Sequence, residues 1–150
     1  MESGDRVHGV HFIKFSIPVS PVSCNSLYNV MFAMRKVELK PEIRLWKSQV
    51  KQFVPPWNTA ESGYMYFNAD IYTETLFKNG KVRKLDLQNL EKALIDAVCE
   101  KLGVGDEFIF QKFTRKIQGE KDRIDVEIGF LDTVVRETKT SAVSRTKQEN

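Results

Sequence analysis

The sequence has little of what a disulfide framework, a zinc site or a membrane span requires. Its two cysteines, Cys24 and Cys99, are far apart and form no CxxC-type spacing. Such a pair supports neither a cross-linked scaffold nor a thiolate metal centre and reads as two free thiols. No apolar run approaches the roughly 20 residues that a membrane-spanning helix needs. Asp5, Arg6, His8 and His11 occupy the stretch where a secretory signal would be hydrophobic. The expectation is a cytoplasmic protein with no membrane partner. A large charge excess is also missing: 23 Lys and Arg against 20 Asp and Glu leave +3, too little by itself to indicate a nucleic-acid partner.

What is present suffices for one core, since 150 residues with 41% hydrophobic content match a single domain. Residues 1–132 carry the patterned sequence. Residues 133–150 are polar without a sustained apolar period and read as a flexible tail. The cations are grouped. Arg35, Lys36, Lys40, Arg44, Lys47 and Lys51 lie in the first half, Lys78, Lys81, Arg83 and Lys84 run into an acidic motif, and Lys112, Arg115 and Lys116 follow it. They are either solvated element faces or a set that grips phosphates.

Periodicity supplies the elements. Residues 8–17 read as a strand ended by Pro18 and Pro21, because proline donates no ladder hydrogen bond. A shaped, proline-rich loop follows over 17–28. Pro41 opens a helix with Ile43, Leu45-Trp46, Val50 and Phe53 at roughly helical spacing, and Pro55-Pro56 ends it. Alternation over 63–77 predicts a long strand, with Asn79-Gly80 as a turn. After Asp86, Leu87, Leu90, Leu94, Ala97, Val98 and Leu102 form one helical stripe, with Asn89, Lys92 and Asp96 clustered on the other side. Residues 108–117 and 123–131 read as strands joined by a hairpin at 118–122. The predicted class is α+β, a small mixed β-sheet packed with two main helices.

The chemistry concentrates in Asp86-Leu87-Gln88-Asn89-Leu90-Glu91-Lys92 and in Asp106-Glu107 after Gly103 and Gly105. Magnesium takes hard oxygen ligands, usually one or two carboxylates completed by water and phosphate. Asp86, Asp106 and Glu107 are candidate ligands, and Lys92 is a candidate cation for a developing phosphoryl charge. Each residue also has a plain structural role open to it. Asp86 suits a helix N-cap, Lys92 and Asp96 an i, i+4 pair on a solvated face, and Asp106-Glu107 a charged entry to the next strand.

As a combined pattern, these residues resemble the RusA family of Holliday-junction resolvases, with its D-x-D-N-L-x-K signature, D-A-L helix and later acidic pair. Asp96-Ala97-Val98 stands at the D-A-L position. The segment from Ile17 to Asn25, with Tyr28 beyond it, resembles the family's strand-ending P-x-x-P-S-x-N segment and a following aromatic. The resemblance covers about residues 10–131. It implies a homodimeric, magnesium-dependent endonuclease that nicks four-way DNA junctions in recombination and repair. By position it implies Asp86, Asp106 and Glu107 as metal-site residues, Lys92 as the catalytic lysine, and Asn89 and Asp96 as motif support. Lys81, Arg83, Lys84, Lys112 and Arg115 are the candidate DNA-binding cations. Gln88 departs from the pattern, standing where the family carries its second aspartate. Its carbonyl oxygen can coordinate a metal but brings no charge, so the alternative is a junction-binding protein with weakened or lost chemistry.

Overall fold

The computed structural model describes residues 11–22, 27–31, 35–58 and 63–138. Six strands and two helices follow in the order β1 (Phe12–Ile17), β2 (Tyr28–Met31), β3 (Lys36–Leu39), α1 (Pro41–Lys51), β4 (Met65–Thr73), α2 (Leu87–Leu102), β5 (Ile109–Gln118) and β6 (Arg123–Phe130). A single 3-10 turn, Asp106–Phe108, leads into β5. The expected α+β class is observed: a mixed four-stranded sheet, a two-stranded sheet and two helices. Residues 1–10, Cys24 and the tail from 139 onward lie outside the described residues.

The four-stranded sheet runs β1-β6-β4-β5, with β4 parallel to β5 and antiparallel to β6. A parallel neighbour requires a long crossover, and α2 supplies it between β4 and β5. This order overturns the expected hairpin at 118–122, because β4 lies between β5 and β6. Two strand spacings make about 10 Å, which four extended residues span. The link passes over the end of β4, where the Gly119 N–H donates to the Thr73 carbonyl at 3.0 Å. Asp122 fastens it, accepting from Thr73 Oγ1 at 2.8 Å and from Ser20 Oγ at 2.7 Å. Alternation in β5 and β6 reports which faces they bury, and that pattern is the same whether the two strands are neighbours or not.

Two other expectations change. The strand read over 63–77 stops at Thr73, and the chain then forms a separate small hairpin in which Leu76 bridges Val82. Phe77 N–H donates to the Lys81 carbonyl, and Gly80 takes a φ of 85°, the left-handed conformation expected of Asn-Gly. The antiparallel β2·β3 pair had no counterpart in the periodicity. Its four-residue strands are too short to establish an alternation, and Arg35 turns between them at a φ of 49°.

One face of the sheet carries the core. Met65, Phe67, Ala69 and Ile71 of β4 and Ile124, Val126 and Ile128 of β6 are buried with Ile17. Against them pack Ile43, Trp46 and Val50 of α1 and Leu90, Leu94, Ala97 and Val98 of α2. The α2 stripe is wider than its heptad-like spacing suggests. Ala93, Ile95 and Cys99 are buried too, because α1 covers a second side of the helix, while Leu87 and Leu102 at its ends are only partly buried.

Among the described residues, no helix covers the opposite face. Its charges pair with one another: Arg115 with Asp70 at 2.7 Å, Lys14 with Glu127 at 3.5 Å, and Arg123 with Asp125 at 3.3 Å. Gly129 sits where a side chain would strike Phe12 Cβ and the Tyr66 ring, both 2.7 Å from an added Cβ, and this lets Tyr66 cross to donate to Glu127. Phe67, fully buried at the middle of the doubly paired strand, is the most sensitive core position. Phe67→Ala is expected to cost about 3–5 kcal/mol in urea unfolding, and a loss below about 1 kcal/mol would contradict this packing.

Candidate functional site

Asp86 is the N-cap of α2. Its Oδ1 accepts from the backbone N–H groups of Gln88 at 3.0 Å and Asn89 at 3.2 Å, and its Oδ2 accepts from Asn89 Nδ2 at 3.2 Å. The first residues of the motif therefore form one hydrogen-bonded turn that satisfies helix donors otherwise left open. Gln88 is exposed beside it. Lys116, which was not among the candidate DNA-binding cations, reaches from β5 to the Leu85 carbonyl at 3.3 Å, next to Asp86.

Lys92 lies further along the helix, exposed, with its ammonium 5.4 Å from the centre of the Tyr28 ring. This joins the two segments that carry the resemblance. The proline segment is held over the core by Trp46 Nε1, which donates to the Ser20 carbonyl at 2.8 Å. Leu27, beside Tyr28, is buried. An ammonium over an aromatic face retains its charge and loses some of its freedom to wander.

Asp96 stands one further turn along. Partial burial raises its carboxyl pKa, Lys47 pulls it back, and the nearby carboxylates of Asp106 and Glu100 raise it further. Asp96, Lys92, Lys47 and Asp106 thus interact as one electrostatic group. Lys47 was not singled out by the sequence, although its spacing from Lys51 places both on one side of α1. The two lysines bracket Glu100 at 2.5 and 2.7 Å, tying α1 to α2. Burial would raise the Glu100 carboxyl, but these two hydrogen bonds outweigh it and leave the pKa lowered.

Past the C-cap Gly103, with a φ of 72°, the chain turns back along α2. The Glu107 carboxylate folds over Gly105 and fills the space where a Cβ would stand. Asp106 and Glu107 both act on Cys99, whose buried thiol is pushed up to about 12, first by burial and then by these charges. The acidic pair therefore sits beside the later turns of the helix, whereas Asp86 caps its start. Ten residues of helix separate Asp86 from Asp96, about 15 Å along the axis at 1.5 Å per residue.

That separation bears on how a magnesium ion would be held. Ligand oxygens must lie about 2.0–2.1 Å from magnesium, so Asp86 and a carboxylate at the level of Asp96, about 15 Å along the axis, cannot share one ion within a single chain. Among the described residues no group of three or more His, Cys, Asp or Glu is placed to hold a metal ion. The candidate DNA-binding cations also divide. Lys112 faces α2 and bonds Glu91 at 2.6 Å, whereas Arg115 projects from the open sheet face and bonds Asp70. Lys81, Arg83 and Lys84 stay together on the small hairpin before Asp86. Among the described residues, no helix is long and apolar enough to cross a membrane.

Comparison of the chain with protein-family models and with curated proteins finds no match.

Two side chains give direct checks. With a pKa raised above the ordinary 3.8, Asp96 weakens the fold in its charged form, a penalty present above the folded pKa and absent below the unfolded one. Asp96→Asn should therefore melt higher than wild type at pH 7, with the gain vanishing as pH falls to about 4 in paired melting curves. Cys99 should resist maleimide at pH 8 in the folded protein and react readily in denaturant, as read by mass spectrometry of the peptide that contains it.

Proposed function

We propose that this protein is a structure-specific DNA endonuclease of the RusA type, acting as a homodimer on four-way junctions. The observation that carries the reading is the contact of Lys92 with Tyr28, because it brings together the two separate segments in which the resemblance resides. Convergence of distant motif residues on one exposed spot favours a site over coincidence.

The separation of Asp86 from the Asp106-Glu107 pair gives the dimer a chemical role in this proposal. A two-fold axis that sets the start of one α2 beside the acidic turn of its partner would bring carboxylates from both chains to one ion, twice per dimer. A four-way junction offers two equivalent strands to such a pair of sites. When bound, magnesium would activate water and offset phosphoryl charge. Lys92 supplies a cation for the phosphate from its own chain, and the capped turn at Asp86 fixes the direction of that carboxylate. Lys112 and Lys116 line the same side of β5 as α2, where they can hold the backbone in a salt-dependent manner.

Magnesium-dependent nicking of a four-way junction, with linear duplex left intact, is the expected activity. Lys92→Ala should lower it about 10²-fold or more without altering the fold. Asp86→Asn and Glu107→Gln should each be inactive alone. Refolded together, they should recover roughly a quarter of wild-type nicking, since half the dimers then carry one intact site. No recovery on mixing would remove the shared-site arrangement, and the absence of nicking by wild type would remove the nuclease reading.

A second reading is favoured by one observation, the neutral Gln88 standing exposed beside a carboxylate already engaged as a cap. The protein would then bind junctions without cutting them, and Gln88→Asp would create the missing activity.

A further inference from the structure

The hairpin over residues 74–84, between β4 and α2, combines features that a purely structural turn does not need. Its apolar side chains are turned outward: Leu76, Phe77 and Val82 are 42%, 47% and 70% exposed. The same segment carries Lys78, Lys81, Arg83 and Lys84 against one carboxylate, Glu74. That surplus equals the net +3 of the whole chain, so the rest of the protein sums to zero. The hairpin is also well formed, with the Leu76·Val82 bridge, Arg83 N–H donating to the Thr75 carbonyl at 2.8 Å, and Lys81 N–H donating to Asn79 Oδ1 at 3.0 Å. The Arg83 guanidinium lies 4.5 Å from the centre of the Phe77 ring.

A cleft of about 670 Å³ opens at the base of the hairpin, with Phe77, Arg83 and Lys84 on one side and Ser20, Glu120 and Asp122 among the residues opposite. The chemistry is graded. Cations stand on the hairpin, the Phe77 ring and the Arg83 guanidinium, itself paired with Glu74 at 3.3 Å, border the cleft, and Glu120 lies across it beside Asp122, which already accepts from Thr73 and Ser20. Phosphates would be repelled by the carboxylates and attracted by the hairpin. A nucleobase has the reverse needs, an aromatic surface to stack on and acceptors for its exocyclic amino groups. A continuous duplex keeps its bases stacked inside, whereas a branch point offers bases at the ends of its arms.

We infer that this hairpin is the branch-reading element of the protein: it holds an unstacked base at the DNA junction against Phe77, with Lys81, Arg83 and Lys84 on the adjoining phosphates. The inference rests on the DNA-junction reading above and extends it to the question of how branched DNA is told from linear DNA. Phe77, on which it turns, stands nine residues before Asp86 and belongs neither to the proposed metal ligands nor to the Lys92 region. Exposed apolar groups flanked by cations suit this partner because insertion removes the apolar surface from water while the cations neutralise the backbone.

The test is equilibrium binding of the full-length chain, without magnesium, to a four-way junction and to linear duplex of the same sequence. The junction carries 2-aminopurine at its branch point. Phe77→Ala should weaken junction binding about tenfold, leave duplex binding within about twofold, and abolish the 2-aminopurine response. Phe77→Trp should keep the junction preference, and its own fluorescence should be quenched by the junction but not by duplex. Melting curves matching wild type establish that both variants fold. If wild type prefers the junction and Phe77→Ala does so equally, the inference is overturned while the junction reading stands. Equal losses on junction and duplex also overturn it, since Phe77 would then serve general binding. If wild type binds neither DNA, the junction reading itself fails, and the apolar hairpin is then the footing of a protein partner.

Discussion

The double pairing of β4 is the constraint on which the rest of the structure depends. Because β4 takes β6 on one side antiparallel and β5 on the other parallel, the chain must leave one end of β4 and return to the other before β5 begins. The crossover that does so is α2, and its apolar side closes the core over Phe67 and Ile71. The candidate metal-site residues and Lys92 are all positioned by that crossover. Asp86 caps its start, Lys92 and Asp96 project from its middle, and Asp106 and Glu107 lie on the turn that delivers the chain to β5. The same geometry that builds the core spreads the carboxylates along the helix.

The sequence disclosed those features that depend on local spacing. The α2 start was legible because aspartate before an apolar helical stripe is a capping signal, and Asp86 does cap. Asn79-Gly80 announced its turn for an equally local reason, since few other pairs accept positive φ. The alternation of Met65, Phe67, Ala69 and Ile71 identified a buried strand face. What escaped was relational. Nothing in the residues from Phe110 to Ile128 states that β4, at residues 65–73, inserts between two consecutive strands. Strand order is set by the crossover and by the clasp of Asp122 to Thr73 and Ser20, which are contacts between distant residues.

The candidate site divides along the same line. Residue types and their chemistry could be read directly, whereas the contact of Tyr28 with Lys92 is a finding of the structure, since the two belong to segments far apart in the chain. Which surface each cation faces could not be read in full, because spacing along a strand separates two faces without saying which one a helix covers. Lys112 and Arg115 are three apart in β5, an odd number, and in a strand that places them on opposite faces. One reaches α2 and the other the open side of the sheet. The role of Lys47 was hidden for a related reason: its neighbours Asp96 and Glu100 belong to a helix far along the chain, and only the α1·α2 contact brings them to it.

The open sheet face, where Arg115, Lys14 and Arg123 are each matched by a carboxylate, has one more consequence. Because the charges of that face are matched one for one while the hairpin of residues 74–84 carries four cations against one carboxylate, the open side of the sheet has no net charge and the hairpin does. A face with no net charge neither attracts nor repels a charged partner at a distance, so long-range forces on the molecule act through its unmatched groups. Matching on the sheet thus confines that face to contacts made at short range.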